Sequence, residues 1–193
     1  MAELPYVILA SASPRRRELV QLLGVEFEVR PSRVGETQKL GEAPADFVAR
    51  LAREKAEDVA RSLPAIPAGA VVLGADTEVV IDGVALGKPE SDAHAAEMLR
   101  MLAGRAHEVI TGLCLCRESR PPLCEMVSTR VWFDPMSEAE IGEYVASGEP
   151  RDKAGAYAIQ GRAARYIPRI EGCYYNVMGL PVAALYGLLR TAA

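Results

Sequence analysis

The sequence is short of aromatic residues and of histidine, and it contains no long apolar run. Three Phe and one Trp among 193 residues leave little material for base-stacking platforms. A net charge of −4 argues against a nucleic-acid binder held by phosphate neutralisation. No apolar stretch approaches the ~20 residues that span a bilayer, so no membrane partner is expected. The N-terminus lacks a charged segment leading into a long apolar one, so no secretion signal is expected either. His94 and His107 are too few and too scattered for a zinc site. Cys114, Cys116, Cys124 and Cys173 form no CxxC pair and are expected as core thiols in a reducing cytosol. GxGxxG and GxSxG are absent, and Gly83–Pro89 fails as a P-loop because only three residues separate its glycines and Pro89 stands where Ser or Thr should hold magnesium.

What is present is an ordinary globular composition, half hydrophobic and a quarter charged, enough for one domain or two small lobes. Tyr6–Ala10 reads as a buried strand running into Ser11-Ala12-Ser13-Pro14-Arg15-Arg16-Arg17. Ser13 suits an N-cap and Pro14 the first helical position. Leu19, Leu22 and Leu23 predict the inward stripe of that helix, and Gly24 its end. Three arginines at a helix start run against the macrodipole preference, which makes sense with an anion, most simply phosphate, among free N–H groups and the hydroxyls of Ser11 and Ser13.

Further on, the pattern predicts a helix from Pro44 to about Leu63 and a strand from Val71 through Ile81, with Asp82-Gly83 as a two-residue hairpin. It predicts a helix from Ser91 to Leu102 and two long strands meeting in a turn around Pro121-Pro122. Ser137 and Glu140 form a capping box, Tyr166–Ile170 suggests an edge strand, and Pro181 starts a terminal helix. The alternation indicates an α/β protein with a mixed sheet.

Asp76 follows a run of apolar or small residues, where a lone carboxylate is costly to bury. It is either a hydrogen-bonded turn residue or a base or metal ligand at a strand end. Lys55 falls on or beside the apolar stripe of its helix, while Lys88 and Lys153 sit in loops. Each lysine alone reads as a surface residue. With Arg15, Arg16 and the carboxylates Glu36 and Asp76 they supply what phosphoanhydride cleavage requires: cations to spread phosphoryl charge and acids to hold magnesium and orient water.

Six ordered segments carry a resemblance: Ser11–Arg16, Arg50–Ala56, Gly74-Ala75-Asp76-Thr77, Leu86-Gly87-Lys88-Pro89, Asp152–Gly161 and Asn176–Pro181. Together they resemble the Maf family of nucleoside triphosphate pyrophosphatases over essentially the whole chain. The resemblance implies a two-lobed α/β fold with an elongated mixed sheet, flanking helices and a central cleft. It implies a cytoplasmic, often dimeric enzyme that releases pyrophosphate with a divalent metal, Mg²⁺ or else Mn²⁺ or Co²⁺. Gly74-Ala75-Asp76-Thr77 and the Asp152–Tyr157 run resemble the dTTP/UTP branch, credited also with modified pyrimidine nucleotides, rather than the 7-methyl-GTP branch.

By the same resemblance Asp76 is the proton acceptor, and Arg15, Thr77 and Gln160 set specificity. Lys55 and Lys88 belong to the catalytic charge balance. Ser11, Ser13, Arg15, Arg16 and Lys153 hold phosphate, and Glu36 joins Asp76 as metal ligand. Glu78 and Cys173 depart from the expected pattern. A nucleotide-binding regulator acting through a cell-division partner, and a phosphomonoesterase, are the competing readings.

Overall fold

The computed structural model describes residues 4–193. Its elements, in chain order, are β1 (Tyr6–Leu9), α1 (Pro14–Gln21), β2 (Phe27–Val29), α2 (Pro44–Ser62), β3 (Ala70–Ile81), β4 (Val84–Ala85), α3 (Asp92–Leu102), β5 (Ala106–Arg117), β6 (Arg120–Trp132), α4 (Glu138–Ala146), β7 (Arg169–Glu171), α5 (Tyr174–Val177) and α6 (Val182–Ala192). Three short 3-10 turns lie between α4 and β7, at Glu149–Asp152, Ala154–Ala156 and Arg162–Tyr166. The strands form one mixed seven-stranded sheet in the order β2-β1-β3-β5-β6-β7, with β4 on β3.

The chain divides into two compact units. The first comprises the chain up to Asp76, Thr111–Val127 and Gly179–Ala193, and the second comprises Thr77–Ile110 and Ser128–Met178. In the first unit, β1 pairs in parallel with β2 on one side and β3 on the other, with Leu9 opposite both Val29 and Leu73. The carboxyl ends of β1 and β2 therefore align, while β3 runs on past them to Ile81. The order β2-β1-β3 makes the end of β1 a point where successive crossovers diverge, the place where open parallel sheets bind ligands.

Helix α2 packs on this part of the sheet through Ala52, Ala56 and Val59 against Ile8, Ala10 and Val72. Gly74 and Gly112 allow the close approach. A methyl group on Gly74 would overlap the Ala52 carbonyl oxygen and the Ala56 amide, and one on Gly112 would press on the Val48 carbonyl. In the second unit the buried stripe of α3 (Ala95, Met98, Leu99, Leu102) packs with Val79, Ile81, Phe133, Ile141 and Tyr157.

Several expectations hold and some need correction. Ser13 caps α1 by accepting from the Arg16 amide, Ser91 caps α3, and Ser137 and Glu140 form the reciprocal box at α4. Leu22, expected on the inward stripe of α1, is 59% exposed, because the helix ends at Gln21 and Val20 takes the buried position. The hairpin between β5 and β6 turns at Glu118-Ser119, with Ser119 at φ 52°, instead of at Pro121-Pro122, which lie in β6. Cys114 on β5 and Cys124 on β6 lie 4.1 Å apart between Cα atoms and form a disulfide. The expectation of four core thiols is thereby overturned. A turn at the prolines shifts the pairing and separates these two cysteines. Cys116 and Cys173 stay free, and burial pushes the Cys116 thiol up to about 11.

The close approach at Gly74 has a measurable consequence. Gly74→Ala is expected to lower the unfolding free energy by about 1–3 kcal/mol in urea titrations. Gly142→Ala, on α4 with nothing within 4 Å of the added methyl group, is expected to raise it by about 0.4–1 kcal/mol. Equal behaviour of the two variants would contradict the packing argument.

Candidate active site

Two loops leave the aligned carboxyl ends of β1 and β2 while β3 runs past them, and each of the three segments carries a residue singled out in the sequence. After β1, the buried Ser11 hydroxyl accepts from the Ser13 amide at 3.2 Å and from Arg16 Nη1 at 3.4 Å. Arg16 Nε donates to the Gly179 carbonyl at 2.9 Å, which aims the guanidinium back over the strand ends. Burial pulls the Arg16 guanidinium below its ordinary pKa. The fields of Asp76 and Glu36 oppose that shift, and Arg15 adds to it. Arg16 thus lies within electrostatic reach of both acids and of its neighbour. Arg15 is half-buried and Arg17 exposed.

Asp76 ends the first unit's part of β3. Residues 72, 74 and 76 share a strand face, and the glycine at 74 admits α2, the helix that carries Lys55. Lys55 Nζ donates to Asp76 Oδ1 at 2.6 Å and to Glu36 Oε1. Lys55 and Asp76 are 4% and 5% exposed, so this pair is essentially dry. The loop bearing Glu36 is held by Arg50 on α2. Its guanidinium grips the Glu42 carboxylate at 2.6 and 2.7 Å and donates to the Thr37 carbonyl at 3.1 Å. That grip holds the Glu42 carboxyl at about 2, well below its usual range, and raises Arg50.

One ammonium facing two carboxylates leaves an excess of negative charge. Asp76 Oδ2 is buried and has no hydrogen-bond partner among the described residues, a costly state for a carboxylate oxygen. No group of three His, Cys, Asp or Glu side chains suited to a metal occurs among the described residues. Two hard carboxylates with an orphaned oxygen fit a Mg²⁺-like ion, which takes one or two carboxylates and fills its remaining positions with water and phosphate oxygens.

The other predicted residues belong to the second unit. Thr77 follows Asp76 directly and is half-buried. Lys88 is exposed in the turn after β4. The preceding Gly87 amide donates to Glu78 Oε2 at 3.0 Å, so Glu78, unexpected in the sequence, fixes that turn. The Gly87 carbonyl accepts from the Gly155 amide at 2.8 Å. Gly155 at φ 66° sits on Val79 with no room for a methyl group, which docks the Asp152–Tyr157 run onto β3. Lys153 Nζ donates to the Glu149 carbonyl at 2.8 Å and to Asp152. Gln160 is exposed. Asn176 Nδ2 donates to the Val109 carbonyl and to Thr129 Oγ1, a structural tie. Cys173 donates its amide to that same hydroxyl.

The family model described as Maf-like protein matches residues 6–192. This chain belongs to the Maf family. A curated relative named dTTP/UTP pyrophosphatase from Geobacter sulfurreducens is 51% identical over 95% of this chain and 95% of its own. Another of that name, from Koribacter versatilis, is 48% identical over 96% and 94%. Among solved structures, the Staphylococcus aureus Ham1 protein is similar with a TM-score of 0.55 and 13% identity, covering 97% of this chain and 100% of that one. A HAM1 protein from Coxiella burnetii gives 0.51 and 16%, over 98% and 100%. These two structural likenesses establish the fold alone.

Sequence reasoning missed the clamp by Arg50 and Glu42, the Gly179 carbonyl behind Arg16, and Glu149. Arg50 lies inside one of the Maf-like segments and could have been asked for an acidic partner. Gly179 lies inside another of those segments, Asn176–Pro181, and Glu149 carried no local signal.

The Asp152–Gly161 run is anchored by His107, 3% exposed, whose Nε2 lies 2.8 Å from Tyr157 Oη amid Phe133 and Tyr157 rings. Burial lowers His107 from 6.5 to about 4. The unfolded chain therefore takes up the proton first, so the stabilisation from neutral His107 is complete above pH 6.5 and fades as pH falls toward 4. Denaturant titrations across that window should lose about 3 kcal/mol through this residue. His107→Phe is expected to flatten the profile there, and an unchanged pH slope in that variant would refute the assignment.

Proposed function

We propose that this Maf protein is a nucleoside triphosphate pyrophosphatase that hydrolyses dTTP and UTP to the monophosphate and pyrophosphate. The dry Lys55–Asp76 pair with its orphaned carboxylate oxygen, beside Arg16, is the observation that carries the reading. The names and near-complete coverage of the curated relatives support the substrate class.

In this reading the triphosphate lies over the start of α1. Arg15 and Arg16 spread its charge, bidentate guanidinium contacts suiting phosphate better than ammonium does. Ser11 and Ser13 shape the loop, with the positive end of the α1 dipole toward the anion. As the family resemblance implies, Lys88 and Lys153 belong to the charge balance, and Thr77 and Gln160 select the base. Gln160 offers both a donor and an acceptor to a pyrimidine edge.

Water attacks the α-phosphorus, the bond to the bridging oxygen of the β-phosphate breaks, and pyrophosphate departs. Asp76 Oδ2 takes the proton of that water, while Lys55 holds Oδ1 and so fixes the direction of the other oxygen. Glu36 and Asp76 would hold a divalent cation, Mg²⁺ or else Mn²⁺ or Co²⁺, which when bound acidifies water and neutralises phosphate oxygens. The proposal extends to a cytoplasmic homodimer, as the family resemblance implies.

Asp76→Asn is expected to reduce kcat for dTTP by about 10²–10⁴-fold with the fold retained, read as pyrophosphate release by folded protein. Wild-type turnover in that variant, or orthophosphate as the first product, overturns the reading. Arg15→Ala is expected to raise KM as well as lower kcat, together about tenfold or more in kcat/KM. An unchanged KM would remove Arg15 from the phosphate site.

A further inference from the structure

Gln160 stands on a tight turn closed by the Gly161 amide donating to the Ala158 carbonyl at 3.0 Å. Its side chain is exposed, so packing does not hold it, and only the backbone of the turn fixes where it starts. That backbone is pinned on both sides by one carboxylate. Glu149 accepts from the Arg162 amide through both oxygens at 3.1 Å. It also accepts from the Tyr144 hydroxyl at 2.6 Å, and Tyr144 Oη in turn accepts the Ala158 amide at 3.1 Å. Burial and the adjacent Glu149 hold the phenol protonated far above its usual range, so it stays a donor. A methyl group on Gly161 would overlap the Glu149 carboxylate, so the turn lies directly on this acid. The main-chain carbonyl of the same residue receives Lys153 Nζ at 2.8 Å. One residue thus references two functional side chains to each other.

We propose that Glu149, acting through Tyr144, is a positioning residue for pyrimidine selection: its carboxylate sets the turn that presents Gln160, and its carbonyl sets Lys153 in register with it. The inference rests on the reading of Gln160 as the base-selecting residue. Hydrogen-bond discrimination falls steeply with misalignment, and a displacement near 1 Å away from the chemistry can cost orders of magnitude. A turn released from Glu149 therefore loses selectivity before it loses chemistry.

The test compares kcat/KM for dTTP and dCTP in the full chain. Tyr144→Phe is expected to lower the dTTP preference about tenfold, mostly through KM for dTTP, with kcat within about threefold. Gly161→Ala, which removes no polar group, is expected to do the same and carries the test if Tyr144→Phe fails to fold. Glu149→Gln keeps a carbonyl acceptor for Tyr144 and should retain the preference within about threefold. In a Gln160→Ala background, Tyr144→Phe should cost nothing more. A merely structural role scales both substrates down together and leaves their ratio unchanged. If Gln160→Ala lowers the ratio while Tyr144→Phe and Gly161→Ala do not, Glu149 does not position the turn. If Gln160→Ala itself leaves the ratio intact, the assignment of Gln160 fails, and this inference with it.

Discussion

The arrangement depends on burying a lysine against an aspartate. Removing two charges from water costs several kcal/mol per ion, and only close geometry with further hydrogen bonds offsets it. Here Lys55 meets Asp76 and Glu36 together, which satisfies the ammonium and leaves the carboxylates in excess. The contact exists because α2 lies close on β3, and it lies close because position 74 has no side chain. The Asp76 carboxylate is thus held by backbone proximity on one side and by a gripped loop on the other.

The loop grip works at longer range. Arg50 binds Glu42 through two parallel hydrogen bonds and reaches the carbonyl of Thr37, next to Glu36. Arg50 and Lys55 stand five residues apart on one helix, so the residue that holds the loop and the residue that binds its acid move as a unit. In the second unit the same economy recurs at Glu78, which fixes the turn before Lys88, and at Glu149.

Much of this was legible where local chemistry decides. Ser13-Pro14, Ser91 and the Ser137/Glu140 box marked helix starts because capping uses residues within three positions, and the α3 stripe followed from its period. Asp76 and Lys55 stood out because charge within an apolar pattern demands a partner. Leu22 misled because periodicity does not reveal that a short helix stops one residue earlier. The β5–β6 turn misled because the two prolines are a stronger sequence signal than Glu118-Ser119, and that error concealed the link between Cys114 and Cys124. Glu149 was invisible because its partners, Tyr144 and the Arg162 amide, meet it through tertiary folding and not through any motif.

Helix α1 has no acidic residue in its first turn and no basic residue in its last, the reverse of what its dipole favours. In its opening turn the Arg15 and Arg16 guanidinium groups repel one another, against the opposing fields of Asp76 and Glu36 on Arg16. Any polyanion seated there relieves that repulsion and binds only the folded chain. An anion held there by the folded chain alone would raise resistance to unfolding with the logarithm of its concentration.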